Sequence, residues 1–389
     1  MRGVGILAGR RRQKAVSCRV GLDIGSHTIN GVEVVERGPE VVIRSAGSVS
    51  IASAKGGQSA PERGAIAQAV RSLWASAGFA TNNVVMALPA SATYLKWLHL
   101  EAADADELAQ TATAAAARGA PFPANDAIVD YRVLSSRGVI GRNVHFVMLV
   151  AASAAAVDEL LTIADMAGLE PLAVDIGAVA AIRSFDMQKR PTNPLWSGQP
   201  LAHCIIGARE SVICVMRGGE LEFARTVPVG GNDVTDCVAS HLGLGWHEAE
   251  KVKTSPASRL VGAATLVTSV NHEEVLIPCE PAVGRLGREM LRSLKFFRSQ
   301  FAEGSYLGMV GATTMSGGGT LLKGLDSCLQ EQGIEMTSTV NPFGGLSVSA
   351  ESGGIEHISG SAPAYTTAVG LALGDYWSAR PQRESAAAA

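Results

Sequence analysis

The chain is poor in aromatic side chains, at 5% of 389 residues, and poor in charge, at 18%, with a net charge of only −3. A nucleic-acid surface works by clustered Lys and Arg that release counterions, so composition gives no reason to expect a nucleic acid partner. Six cysteines, at 18, 204, 214, 237, 279 and 328, form no C-x-x-C pair and have no histidine at a zinc spacing. That pattern excludes the common zinc modules and predicts buried, reduced thiols. Long hydrophobic runs are missing as well. The longest charge-free apolar run covers 147–157, and 201–216 is broken by Arg209 and Glu210, whereas a spanning helix needs about 20 apolar residues. The N-terminal MRGVGILAGRRRQK puts its short apolar piece ahead of the basic cluster, the reverse of a secretory signal, and reads as a cytosolic basic extension.

What is present is Ala- and Gly-rich. A hydrophobic content of 47% and a mean hydropathy of +0.18 are those of a folded chain, and the length favours two or three domains with a cleft between them. Residues 20–35 run VGLDIGSHTINGVEVV. An apolar run ends in Asp23, a Gly-Ser turn follows, and a second apolar run resumes: a hairpin whose turn can face an anion. Gly25 permits close backbone approach, Ser26 and Thr28 supply hydroxyls, His27 can donate, and Asp23 can hold a cation's water shell.

A third strand at 40–51 completes a meander after the turn Arg37-Gly38-Pro39. The loop at 55–61 leads to a helix over 62–77 and a buried strand over 83–88. Residues 91–152 read as a small α+β module: a strand, an Ala-rich helix at 104–118 stopped by Pro121-Phe122-Pro123, and two strands around Arg137-Gly138. A helix at 157–167 and a strand and helix at 171–184 lead out of it, and 187–200, with three prolines, reads as a linker. The opening pattern then returns: strand, Gly207 turn, strand, the turn Arg217-Gly218-Gly219, and a third strand over 221–229. Two meanders about 180 residues apart predict a duplicated domain. Helices are expected over 234–242, 246–253, 282–301, 321–332 and 364–376, a strand over 307–315, and a looser, partly β segment over 255–280.

Several glycine and polar features form a set in this order: the Asp23-to-Thr28 turn, Gly207, the pair Gly230-Gly231 opening a helix, Glu250 with Lys253 one helical turn on, and Gly317-Gly318-Gly319-Thr320. Two facing hairpins can hold a phosphate chain through backbone N–H groups, a glycine turn can lie against a purine, and Glu250 and Lys253 can reach ribose hydroxyls. The set resembles the actin-like ATPase superfamily and, within it, the type IV pilus assembly protein PilM family, related to the division protein FtsA. The likeness runs over 19–376 and includes Ala87-Leu88-Pro89-Ala90-Ser91, the PFP at 121–123 before Asp130-Tyr131, Ala167-Gly168-Leu169-Glu170-Pro171 and Asn341-Pro342-Phe343.

The resemblance implies an α/β chain with the actin-like (ribonuclease H-like) fold, two duplicated domains around a nucleotide cleft and a small inserted α+β module. The domains would be a basic extension 1–18, a first domain 19–90, the module 91–152, a return 153–186, a linker 187–200, a second domain 201–354, a helix 355–376 returning to the first, and a tail 377–389. It implies ATP and Mg2+ as cofactors. Asp23, also the one candidate metal contact, forms the first phosphate loop with Gly25, Ser26 and Thr28, and Gly207 lies in the second. Gly230 and Gly231 lie by the ribose, Glu250 and Lys253 by the nucleoside, and Gly317 to Gly319 in the adenosine loop. The implied partner is a PilN-like bitopic membrane protein, held by its cytoplasmic N-terminal peptide between first domain and module. Implied with it are a cytoplasmic location peripheral to the inner membrane, pilus motor or platform proteins as further partners, and homo-oligomers.

Two positions depart from the family pattern. Asn30 stands where a lysine would neutralise phosphate, and Ile205 stands where an acid would hold metal-bound water. Losing both weakens phosphoryl transfer, so nucleotide binding without appreciable hydrolysis is expected. Asp175-Ile176-Gly177 mimics a phosphate loop but fits a strand entering a helix. Two other readings remain: an FtsA-like or type II secretion platform scaffold, and a small-molecule kinase for which Asp175 is the candidate base.

Overall fold

A computed structural model describes residues 18–37, 40–51, 62–123, 126–134, 143–187, 199–303, 305–349 and 355–374. Residues 1–17 of the N-terminal extension expected over 1–18, the loop 55–61, most of the linker, the C-terminal tail, and the turns at Gly38-Pro39 and Arg137-Gly138 lie outside the described residues, while Cys18 already belongs to the first strand.

The first half opens with β1 (Cys18–Ile24), β2 (Thr28–Arg37) and β3 (Glu40–Ser50), then α1 (Arg63–Ala77) and β4 (Asn83–Leu88). A module follows: β5 (Thr93–Glu101), α2 (Ala105–Gly119), β6 (Ala127–Val133) and β7 (Val144–Ser153), with its own sheet in the order β5-β7-β6. Asp104 starts α2 as expected of an acid before an Ala-rich run, since its carboxylate accepts the Asp106 and Glu107 N–H groups. The chain returns through α3 (Ala154–Ala167), β8 (Glu170–Ile176) and α4 (Gly177–Met187).

The second half contains β9 (Leu201–Ile206), β10 (Ser211–Arg217), β11 (Glu220–Val227), α5 (Gly231–Leu242) and α6 (Trp246–Lys253). The segment read as partly β is a three-stranded sheet of β12 (Arg259–Val261), β13 (Thr265–Val270) and β14 (Glu273–Pro278). Then come α7 (Glu280–Ser299), β15 (Ala312–Ser316), α8 (Leu325–Glu331), β16 (Met336–Thr339), β17 (Ser347–Val348) and α9 (Thr366–Ala372).

The two main sheets repeat one plan. The first runs β3-β2-β1-β4-β8, with β17 added beside β3, and the second runs β11-β10-β9-β15-β16. In both, the meander is antiparallel and the two later strands are parallel to its first strand. Central strands of both are buried on both faces, which explains why 20–22 and 204–206 are apolar without alternation.

Three expected elements are shorter. The helix expected over 321–332 is a 3-10 turn over Gly318–Leu321 and then α8. Gly324, at φ 81°, breaks it, and a side chain there would run into the Leu260 carbonyl. The strand expected over 307–315 gives way at its start to a 3-10 turn over Tyr306–Gly308, which the Ser305 hydroxyl caps at the Leu307 N–H. The helix expected over 364–376 is preceded by a 3-10 stretch over Glu356–Tyr365 that carries Pro363, which has no N–H to donate.

Helix α9 brings the C-terminal part of the chain back onto the first half. Ala368, Val369, Ala372 and Leu373 pack on Val32, Val34, Val41 and Ile43 of the first sheet. The bare Cα of Gly21 lets α9 rest on β1, and that of Gly370 lets α9 rest on Ala180 of α4. On the side of the module, Trp97 Nε1 donates to the Leu221 carbonyl of β11 at 2.7 Å. No helix among the described residues is long and apolar enough to cross a membrane.

Candidate functional site

The halves enclose a cleft with a cavity volume of about 510 Å³. One end of it is built from two matching turns. Gly25 N–H donates to the Thr28 carbonyl at 3.0 Å, and Gly207 N–H donates to the Glu210 carbonyl at 3.0 Å. A Cβ would fall 2.8 Å from that carbonyl at Gly25 and 2.7 Å from it at Gly207, so both turns require glycine. The second turn is fastened to the start of α5, where Gly231 N–H donates to the Gly207 carbonyl at 2.9 Å and Asn232 N–H to Ala208 at 2.8 Å.

Asp23, Gly25, Ser26, His27, Thr28 and Asn30 line this cleft from the first half. Gly207, Gly230, Gly231, Glu250, Lys253 and Gly317 to Gly319 line it from the second. Thr320 does not line it: its hydroxyl turns back to the Gly317 carbonyl at 2.8 Å and closes the 3-10 turn. Gly317 itself, at φ 91°, donates its N–H to Pro363 at 2.8 Å, which joins the glycine turn to the C-terminal segment.

The charges are few. Burial pushes the Asp23 carboxyl up to about 6, although one edge stays open to the cleft. Asn30, opposite Asp23 in the β1–β2 register, donates its amide to the Ala364 carbonyl at 3.2 Å. Ile205 also lines the cavity and adds no polar group. Lys253 is engaged: its Nζ lies 2.6 Å from Glu250 Oε2 and donates to Thr235 Oγ1 at 2.9 Å and to the Gly231 carbonyl at 3.1 Å. Thr235 in turn donates to Glu250 at 2.5 Å. The far end is apolar, walled by Ala282, Val283 and Leu286 of α7 with Leu322 and Leu325, and Lys323 reaches the Pro256 carbonyl at 2.6 Å.

Sequence reasoning missed Thr235, the α7 wall and the segment Ser361 to Thr367. The α7 stripe through Leu286 and Met290 was legible as apolar, but periodicity alone does not separate a cleft wall from a core face. Asp175 stands away from the cleft lining, paired with Arg183, whose Nη1 donates to Gly370 at 2.7 Å. A carboxylate engaged in that way is not a free base.

Contacts also bridge the halves beside the cleft. The His27 ring stands 5.9 Å from that of Trp246 on α6. The Glu210 carboxylate accepts N–H groups of Ala90 and Ser91, and burial raises its proton affinity. Behind the cleft floor, His203 is enclosed between the Thr314 and Ser316 hydroxyls, each 2.8 Å from a ring nitrogen, and burial pushes it down to about 4. Among the described residues all six cysteines are free thiols and no cluster suits a metal ion.

Comparison with solved structures gives a PilM-PilN type IV pilus biogenesis complex at a TM-score of 0.75 and 24% identity, covering 92% of this chain and 98% of that one. MreB5 of Spiroplasma citri bound to AMPPNP matches at a TM-score of 0.49 and 12% identity, over 92% of this chain and 96% of that one. The first likeness establishes the actin-like fold. The family model described as type IV pilus assembly protein PilM matches residues 21–376, and the chain belongs to that family.

Proposed function

We propose that the chain is an adenine-nucleotide-binding scaffold of the type IV pilus assembly platform, one that holds its nucleotide more than it turns it over. The observation that carries this is the matched pair of glycine turns facing one cleft, which Asp23 also lines. Turn N–H groups would receive the phosphates, the Glu250–Lys253–Thr235 group would hold the ribose, and the apolar wall of α7 would cover the base. A desolvated carboxyl at Asp23 suits a hydrated divalent ion carried in with the phosphates, so Mg2+ fits that position. Bound there, the ion would neutralise phosphate charge. The chain has little to complete hydrolysis: Asn30 is committed to Ala364, Ile205 is apolar, and Lys253 is already paired.

Glu250→Gln tests the nucleoside assignment. The amide cannot hold Lys253 as an ion pair, and adenosine and ATP affinities should fall together by about tenfold. Isothermal titration with both ligands reads this, and equal affinity in variant and parent would remove Glu250 from the site.

The partner in this reading is the cytoplasmic N-terminal peptide of a PilN-like bitopic protein, which would keep the chain in the cytoplasm, peripheral to the inner membrane and in reach of motor and platform proteins. Homo-oligomers belong to the same proposal. Trp97 joins the module to β11 of the other half, so a change in cleft closure would reach the module and shift peptide affinity. Titration of that peptide with and without ATP should give affinities differing by about fivefold or more; identical affinities would make the nucleotide a fixed structural ligand.

A further inference from the structure

Beyond the cleft, one surface combines exposed apolar side chains with exposed cations. Tyr306 is 77% exposed, Leu307 58%, Phe296 56% and Met309 42%. Tyr306, Leu307 and Met309 share one tip: Gly308 packs its Cα against the backbone of Arg298 and the Phe301 ring, which sets the 306–308 turn on the last turn of α7. The turn is held rigidly. Ser305 caps the Leu307 N–H, Met309 N–H donates to Tyr306 at 3.0 Å, and Arg217, buried and paired with Glu222, donates to the Leu307 carbonyl. Ordering this tip on binding would therefore cost little entropy, and the Leu307 and Met309 amides enter an apolar phase already satisfied.

The charges beside the tip leave two cations over. Arg217 is paired with buried Glu222, Arg225 and Arg292 share the partly buried Glu289, and Glu303 is an exposed acid; among the described residues the exposed Lys295 and Arg298 make no ion pair. Apolar tips that stand proud of a surface, ringed by cations, match a headgroup layer better than an extended peptide, which needs a groove.

The geometry points to direct docking of this patch on an anionic lipid bilayer, with Tyr306, Leu307 and Met309 entering the interface and Lys295 and Arg298 meeting the headgroups. The test is sedimentation of the full chain with vesicles of phosphatidylcholine alone or with phosphatidylglycerol added. Binding is expected only to the anionic vesicles and should weaken with salt. It should fall about tenfold or more in Lys295→Glu/Arg298→Glu and again in Tyr306→Ser/Leu307→Ser. Neutralising the N-terminal cluster, Arg10→Ser/Arg11→Ser/Arg12→Ser, should leave it unchanged. The charge pair lies on an exposed helix face, so it remains informative where the apolar pair fails to fold. Four results would overturn the inference: no binding to anionic vesicles, equal binding to neutral ones, loss only in the N-terminal variant, or vesicle-independent self-association that the patch variants abolish. The last would make a second copy of the chain the occupant.

Discussion

Asp23→Asn should make the ligand-free protein more stable above pH 6 while weakening its hold on magnesium nucleotide. The carboxyl is raised from an ordinary 3.8 to about 6 by burial alone, so folding favours its protonated form. The sign follows from linkage: this stabilisation is complete below about 3.8 and is lost as pH rises through about 6. At pH 7.5 the native state carries a desolvated anion, which the amide replaces at nearly equal volume. The gain is about 1–3 kcal/mol, the lower part of that range reflecting the edge open to the cleft. His203 runs the other way. It stays neutral in the fold down to about 4, so its contribution is lost as pH falls below about 6.5 and only the unfolded chain takes the proton. Over pH 4–6 the two effects offset each other in the parent. The Asn variant should keep only the His203 slope, and its advantage should vanish near pH 4. Urea melts at pH 4, 5, 6 and 7.5 read this, and a variant less stable than the parent at pH 7.5 would sink it. Magnesium-dependent ATP affinity should fall about tenfold or more in the same variant, which separates stability from function at one carboxyl.

Gly370→Ala is expected to be the most damaging small substitution in the fold. A Cβ there would overlap the backbone of Ala180, which is main chain and not a side chain that can swing away. The α4–α9 crossing must open, at a cost on the order of 3 kcal/mol. The effect should not stop at stability. Helix α9 also rests on Gly21 of β1, and the segment before it supplies Pro363 to Gly317 and Ala364 to Asn30 in the cleft. A lower denaturation midpoint together with weaker nucleotide binding is the expected outcome, and a midpoint equal to that of the parent would show that the crossing yields.

Much of this was legible in the sequence because it is local. The apolar-Asp-Gly-Ser-apolar pattern at 20–35 and its echo at 201–216 reported two hairpins, and the hairpins are superimposable in their hydrogen bonding. The glycines at 230–231 and 317–319 announced close backbone approach. What was hidden is non-local. Nothing near Thr235 states that its hydroxyl will meet a carboxylate fifteen residues on, and nothing in 361–367 states that it will close the floor of a cleft begun at residue 23. Asn30 could be read as a missing charge, but its actual work, tying β2 to Ala364, depends on a segment more than three hundred residues away. Thr320 failed for the opposite reason: a hydroxyl next to three glycines finds its own turn before it finds a ligand.

The returning C-terminal segment also bears on the order in which a chain leaving the ribosome can fold. The second sheet draws its strands from 201–339 alone, whereas the first needs β17 at its edge and α9 over its face. The half synthesised first is therefore finished last: Val32, Val34 and Ile43 remain without their cover until Ala368 to Leu373 have emerged.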